Sequence, residues 1–137
     1  MQRKQFLIPL IALFLFAALP AFAADPIEGT YTYANPAEGF KGTVKISKSG
    51  SGYVATVDTV AGGRFSCSFK GTGKNGASDT VNFSGDGFTL PIRFSAGGLT
   101  MVGDEMAGPL AELRRTNCGM NGLLYTDTLY KKTKGGK

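Results

Sequence analysis

Few residues in this chain have the side chains that enzyme chemistry requires, because the sequence contains no histidine. Histidine is the residue most often used as a general base and as a metal ligand. Its absence excludes a Ser-His-Asp triad and a histidine zinc site. A serine beside a lysine still has the residue types for nucleophilic catalysis, as in Ser49 with Lys70. No motif of Ser-Lys enzymes surrounds either residue, so the sequence predicts a protein that is not an enzyme.

The acidic residues offer no better catalytic or metal site. Asp104-Glu105 is the only adjacent acidic pair, and it is more typical of a solvated loop than of catalytic carboxylates. Asp79, Asp86 and Asp104 carry loop oxygens of the kind that bind calcium, but EF-hand spacing is missing. The other acids considered are scattered singly: Asp58, Glu112 and Asp127. We therefore expect no metal and no cofactor.

The N-terminal segment 1–23 has the three parts of a signal peptide. Arg3 and Lys4 precede the apolar run Phe6–Leu19, and Ala21-Phe22-Ala23 fits an A-x-A cleavage site. The alternative is an uncleaved anchor, but the apolar run is shorter than a membrane-spanning helix. No cysteine lies near the cleavage site, which argues against a lipid anchor. The sequence predicts a periplasmic or secreted protein with no membrane span after cleavage.

The two cysteines of the chain, Cys67 and Cys118, are predicted to form a disulfide. Export to an oxidising compartment favours pairing over two free thiols, which is the alternative. The bond would close a loop of about 50 residues and contribute about 4 kcal/mol in the chain-entropy description.

The basic charge of the chain lies mostly at its two ends. Without Arg3 and Lys4 the 15 basic residues fall to 13, against 10 acidic residues. Four of the 13 lie in residues 131–137, namely Lys131, Lys132, Lys134 and Lys137. We interpret residues 131–137 as a flexible Lys/Gly-rich tail and residues 24–130 as one domain. The body is then slightly acidic, and no nucleic-acid surface is predicted.

Short alternating runs separated by glycine turns predict an all-β fold. In the segment Ser49–Gly71, Phe65, Cys67 and Phe69 alternate with polar residues after the turn Ala61-Gly62-Gly63, which indicates a hairpin. About eight such runs predict a single small antiparallel β-barrel, with a sandwich as the alternative. The predicted strands are Glu28–Tyr33, Lys41–Lys48, Tyr53–Val60, Phe65–Lys70, Asp79–Gly85, Phe88–Ser95, Leu99–Gly103 and Leu123–Lys131.

Two places depart from this pattern. Pro91 has no N–H to give to a strand ladder, so it indicates a sheet edge or a bulge. Residues 108–115 predict one or two helical turns with Pro109 near the start, or else an irregular loop over a barrel end.

Two short motifs suggest a partner. Ser49-Gly50-Ser51-Gly52-Tyr53 fits S-G-x-x-Y, and Phe69-Lys70-Gly71 fits an aromatic-Lys-Gly strand end. Together they resemble the paired loop motifs of the bacterial periplasmic inhibitors of c-type lysozyme, which are small eight-stranded barrels. The resemblance implies that Ser49 and Lys70 enter the lysozyme cleft and engage its catalytic carboxylates. The partner-contact residues that it assigns are Ser49, Gly50, Tyr53, Lys70 and Gly71. The alternative is that these are only turn residues.

Two further hypotheses remain open. A lipocalin-like or avidin-like cup would hold a small apolar ligand, lined by Phe65, Phe83, Phe88, Phe94 and Tyr125. The mature chain is short for a roomy cup, so we expect these aromatic rings to fill the interior. An envelope interaction protein, held to anionic surfaces by its lysine tail, is the other hypothesis. We expect the outer ends of the central hairpin, Ser49-Gly50 and Lys70-Gly71, to lie close together, and the lysozyme-inhibitor hypothesis depends on this.

Overall fold

Eight antiparallel strands form a closed barrel in the computed structural model, which describes residues 26–75, 78–119 and 121–133. Each strand pairs with the next in sequence, and β8 pairs with β1. The predicted barrel is confirmed and the sandwich alternative is wrong. The strands are β1 Gly29–Asn35, β2 Phe40–Ser49, β3 Gly52–Ala61, β4 Phe65–Gly73, β5 Thr80–Gly85, β6 Phe88–Ser95, β7 Gly98–Met101 and β8 Leu129–Lys132. A single 3-10 turn, Pro36–Glu38, links β1 to β2, and helix α1, Gly108–Cys118, precedes β8.

The central hairpin forms because its turn residues adopt a backbone conformation that few other residues tolerate. Gly62 and Gly63 have φ values of 59° and 75°, a region that glycine enters without steric cost. Val57 then pairs with Phe69, and the buried residues of both strands face the core. The β5–β6 turn works in the same way, because Asp86 and Gly87 both have positive φ, as a two-residue hairpin turn requires.

One seam of the barrel is closed by the helix. Strands β4 and β5 share only the pair Thr72–Ser84, so the first half of β4 has no strand beside it on that side. Helix α1 packs there, and the Asn117 side-chain amide donates to the Ser68 carbonyl oxygen at 2.8 Å. Covering an exposed strand in this way prevents pairing with other chains. The helix runs to Cys118, which is longer than the predicted one or two turns.

Cys67 and Cys118 form a disulfide, as the sequence predicts, and the free-thiol alternative is wrong. Cys67 lies on β4 with only 2% of its surface exposed, and Cys118 is the last residue of α1. The bond therefore fixes the end of the helix to the strand that it covers. Because the bridged residues are 51 positions apart, the bond constrains a large part of the unfolded chain.

Side chains fill the barrel interior. Leu110 and Leu113 enter it from the helix, and Tyr130 donates a hydrogen bond from its hydroxyl to the Leu124 carbonyl at 2.6 Å. Of the aromatic residues proposed to line a cup, Phe83 is fully buried and the others are partly buried against the core. This packing agrees with the expectation that these rings fill the interior, and it argues against an apolar ligand cup. The largest fully buried side chains are Tyr130, Phe83, Leu90, Ile92, Leu99, Met101, Leu113 and Leu124.

The predicted strand Leu123–Lys131 is wrong in its first half. Tyr125 and Asp127 have φ values of 58° and 56°, which no strand residue adopts. The Glu105 carboxylate holds this segment in a loop by accepting hydrogen bonds from the Leu124 and Thr126 N–H groups, at 2.6 Å and 3.1 Å. These hydrogen bonds connect residues about 20 positions apart, so the residues next to the loop in the sequence could not indicate them.

The C-terminal boundary of the barrel also differs from the prediction. Lys131 and Lys132, the predicted start of a flexible tail, are part of β8 and pair with Thr32 and Tyr31. The Thr133 N–H donates to the Thr30 carbonyl at 2.8 Å, so ordered pairing extends past residue 130. The predicted signal peptide, residues 1–23, and the end of the tail, residues 134–137, lie outside the described residues.

Pro91 marks a local edge inside the closed barrel. Its carbonyl accepts a hydrogen bond from the Val102 N–H at 2.9 Å. In an antiparallel ladder the N–H of residue 91 would also donate a hydrogen bond to the Val102 carbonyl. Proline has no N–H for that return bond. Strand β7 accordingly ends at Met101. The break at Pro91 is therefore confined to the end of the β6–β7 ladder, and β6 itself pairs with both neighbouring strands and is not an edge strand.

We expect the stability of the protein to fall above pH 10, because two native tyrosines resist ionisation. Burial raises the pKa of Tyr130 far above its usual range. The hydrogen bond that Tyr125 donates to the Glu38 carboxylate, together with burial, raises the pKa of Tyr125 to about 12. The free energy of unfolding that each raised pKa contributes is fully present below the unfolded-state pKa of about 10, and it is lost as the pH rises above that value.

Denaturant unfolding at several pH values from 7 to 11 tests this expectation. Tyr130 alone should cost up to about 1.4 kcal/mol per pH unit above pH 10. A Tyr130→Phe variant, which has no group to ionise, should show a shallower decline despite a lower stability at pH 7. An equally steep decline in this variant would assign the pH dependence to other groups.

Candidate functional site

The turn between β2 and β3 presents the first predicted motif at one end of the barrel. Ser49 pairs with Gly52, which leaves Gly50 and Ser51 as the two central residues of the turn. Gly50 has a φ of 58°, which explains why glycine suits this position. Ser49, Gly50 and Ser51 are all exposed, so their polar groups are accessible to a partner.

Lys70 does not lie beside this turn, which corrects the expectation from the sequence. Lys70 pairs with Thr56, whereas Ser49 pairs with Gly52 on the same strand. The four positions between Gly52 and Thr56 correspond to about 13 Å along a strand. Lys70 is exposed on the outer wall of the barrel, around the level of Asp58, Asp86 and Asn117, with which it lines a shallow depression of about 390 Å³.

The lysine that does lie beside the turn is Lys74. Strand β4 continues past Gly71 to Gly73, which pairs with Tyr53, and Lys74 follows directly. A Cβ atom placed on Gly52 would lie 3.4 Å from Cγ of Lys74. Lys74 is exposed. Together with the turn it borders a groove of about 300 Å³, here called the rim groove, lined by Ser49, Ser51, Gly52, Tyr53, Thr72, Gly73 and Lys74.

A signal for Lys74 was present in the sequence. Counting outward from the turn of the central hairpin, with Ala61 opposite Phe65, places Gly73 opposite Tyr53 and Lys74 level with Gly52. The motif Phe69-Lys70-Gly71 predicts instead that Lys70 is the lysine beside the turn. The predicted strand Phe65–Lys70 is three residues too short at its end, because Gly71 and Gly73 are typical turn residues.

Two of the predicted contact residues have structural roles. Tyr53 has 5% of its surface exposed, and its ring lies 5.3 Å from the Lys48 ammonium group, within cation–π range. Gly71 is buried, and a Cβ atom there would lie 2.9 Å from the Phe69 ring and 3.1 Å from the backbone of Ser84. Glycine is needed at residue 71 for close packing of β4 on β5 and the core, so this position does not require a partner to explain it.

The rim groove can offer hydroxyl donors and one ammonium group to an anionic partner. In the described part of the chain, no group of three or more His, Cys, Asp or Glu side chains could hold a metal ion. Both cysteine sulfurs are used in the disulfide. Among the same residues, no helix is long and apolar enough to cross a membrane.

Comparison with protein-family models, with curated proteins and with solved structures finds no match for this chain. The candidate site is therefore defined by its own geometry.

Proposed function

We propose that this protein is an exported, non-enzymatic binding protein whose rim groove contacts carboxylate groups of a protein partner. The partner that we propose is a c-type lysozyme, whose inhibition would follow from Ser49 and Lys74 reaching its acidic cleft. This assignment keeps the role that the sequence motifs suggested and gives the lysine role to Lys74 in place of Lys70.

The observation that carries the proposal is the position of Ser49, Ser51 and Lys74 around one exposed groove. An ammonium group and a hydroxyl can each donate a hydrogen bond to a carboxylate, and the bond from the ammonium is strengthened by charge. Lys74 makes no ion pair with another described residue, so its charge is available to a partner. The two-residue turn at Gly50-Ser51 is also short and exposed, which suits entry into a cleft.

Export is part of the proposal and has two supports. The sequence of residues 1–23 has the three parts of a signal peptide. The disulfide is of the kind that persists in the periplasm or outside the cell and is rare in the cytosol.

A lysozyme assay tests the proposal. Purified protein, added in increasing amounts to a c-type lysozyme acting on cell-wall substrate, should reduce the rate of lysis. Unchanged lysis at a hundredfold molar excess would exclude lysozyme as the partner.

Variants of the rim groove then locate the contact. Lys74→Ala should weaken inhibition by about 30-fold or more, because removing one member of a desolvated charge pair costs about 2 kcal/mol or more. Ser49→Ala should weaken it by a smaller factor, because the lost hydrogen bond is worth about 1 kcal/mol. Lys70→Ala is the matched control, since it removes the same charge from the outer wall and should leave inhibition unchanged. A loss with Lys70→Ala and none with Lys74→Ala would overturn the rim assignment.

A further inference from the structure

The charged residues of this protein are divided between different parts of the barrel. Five neighbouring strands, β6, β7, β8, β1 and β2, contain no Asp or Glu within their described residues. The same strands contain six basic residues: Lys41, Lys45, Lys48, Arg93, Lys131 and Lys132. The acidic residues of the described chain lie in loops, turns and helices, apart from Asp58 on β3. The described residues of these five strands, one wall of the barrel, therefore carry positive charge only, and the Glu28 carboxylate reaches β2 at its Lys48 end by accepting a hydrogen bond from the Lys48 N–H.

The centre of this wall is a lysine triangle, formed by Lys41, Lys45 and Lys131 around two threonines. Lys131 pairs with Thr32, and Thr32 pairs with Thr43, so these three side chains form a row across β8, β1 and β2. Lys41 and Lys45 flank Thr43 at two residues on either side along β2. From strand spacing, the three lysine Cα atoms lie about 12 Å apart. All three lysines are exposed, as is Thr32.

The groups of the triangle are available to a ligand. Within the described residues, the three lysines form no ion pair within 4 Å, and the hydroxyls of Thr32 and Thr43 make no hydrogen bond. Asp58 lies opposite Thr43 on β3, borders a depression together with Lys41 and Thr43, and limits the positive surface on that side. On the other side, Arg93 on β6 extends it, through its pair Thr100 on β7.

We infer that this wall binds an anionic polysaccharide along the β8–β1–β2 surface. Separated ammonium groups with hydroxyls between them match a chain that carries carboxylates or sulfates at intervals and sugar hydroxyls in between. A lipid surface fits less well, because interfacial binding relies on exposed aromatic or aliphatic side chains as anchors. Among the described residues of the five strands, Leu129, at 41%, is the only exposed large hydrophobic side chain. This surface is separate from the rim groove, so the inference does not depend on the proposed function.

Binding of the whole protein to polygalacturonate, with uncharged dextran for comparison, tests the inference. We expect binding to polygalacturonate that weakens as salt is added, and none to dextran. The triple variant Lys41→Gln, Lys45→Gln, Lys131→Gln should lower the affinity about a hundredfold, at about fivefold per lysine. The control variant Arg64→Gln, Lys70→Gln, Arg115→Gln has the same net charge but keeps the triangle, and it should lose no more than about threefold.

Equal losses in the two triple variants would overturn the inference, because they would indicate attraction by net charge alone. Equal binding to dextran, or binding to phosphatidylglycerol vesicles without binding to polygalacturonate, would also overturn it. Thermal unfolding establishes that the variants are folded. If the triple variant is unstable, the single charge reversals Lys45→Glu and Lys70→Glu provide the same comparison. Lys45→Glu should reduce binding to polygalacturonate strongly, and Lys70→Glu should not.

Discussion

Replacing Cys67 and Cys118 together by alanine is expected to lower the free energy of unfolding by about 4 kcal/mol. The bridged residues are 51 positions apart, and a loop of this size reduces the entropy of the unfolded chain by about that amount. The same bond fixes helix α1 over the first half of β4, where β5 makes no pair. Since small domains have a total stability of about 5–15 kcal/mol, this loss would be large.

Urea unfolding of the oxidised protein, the reduced protein and the double variant measures this effect. Asn117→Ala is a useful comparison, because it removes only the hydrogen bond from the helix to Ser68 and should cost about 1 kcal/mol. If the free energy of unfolding of the double variant is within 1 kcal/mol of that of the oxidised protein, the disulfide is not the main contact that holds the helix on β4.

Gly85→Ala is expected to destabilise the barrel by about 3 kcal/mol, at the upper end of the usual cost of overpacking. A Cβ atom on Gly85 would overlap the Lys70 carbonyl oxygen, and both groups belong to the backbone at the β4–β5 seam. Neither can move aside without opening the only place where these two strands pair. A side chain at this position must therefore displace a strand.

Gly97→Ala is the matched control for this substitution. Among the described residues other than its two chain neighbours, a Cβ on Gly97 would contact only the end of the Leu129 side chain, at 3.6 Å, which is ordinary van der Waals contact. Its stability should change by less than about 1 kcal/mol. Thermal and urea unfolding of both variants makes the comparison, and similar stabilities would contradict the close approach of β4 and β5.

Most of the barrel could be predicted from the sequence because its signals are local. The alternation of apolar and polar residues in Phe65–Phe69 and in Phe88–Phe94 indicates which face of each strand is buried. This pattern depends only on residues that are neighbours in the sequence. Asp86-Gly87 similarly specifies its own turn through the φ values that it favours. The disulfide was predictable for a different reason, since a chain that is predicted to be exported and has two cysteines can pair them in only one way.

The errors arose where distant groups decide the local conformation. The sequence predicts a strand that begins at Leu123, but the Glu105 carboxylate accepts hydrogen bonds from the Leu124 and Thr126 N–H groups and holds this segment in a loop. Lys131 and Lys132 look like part of a basic tail, yet pairing with β1 places them in the barrel. A one-dimensional pattern does not contain these contacts.

The sequence predicts the turn of the candidate site correctly but not the lysine beside it. The exposed turn at Ser49–Ser51 was identified from its glycine and its motif. The prediction that Lys70 lies beside this turn is wrong, because the choice between Lys70 and Lys74 depends on where β4 ends. The strand continues through two glycines that usually indicate a turn, since Gly73 allows the close approach of Gly52 and Asn82.

Hydrogen exchange of this protein, measured with and without a c-type lysozyme, tests the central claim most directly because it maps the contact surface without any substitution. If the rim groove is the binding site, backbone protection should increase in residues 49–53 and 73–75, while residues 67–70 of the outer wall should be unchanged. Protection confined to the outer wall around Lys70, or no change anywhere at saturating lysozyme, would contradict the proposed function.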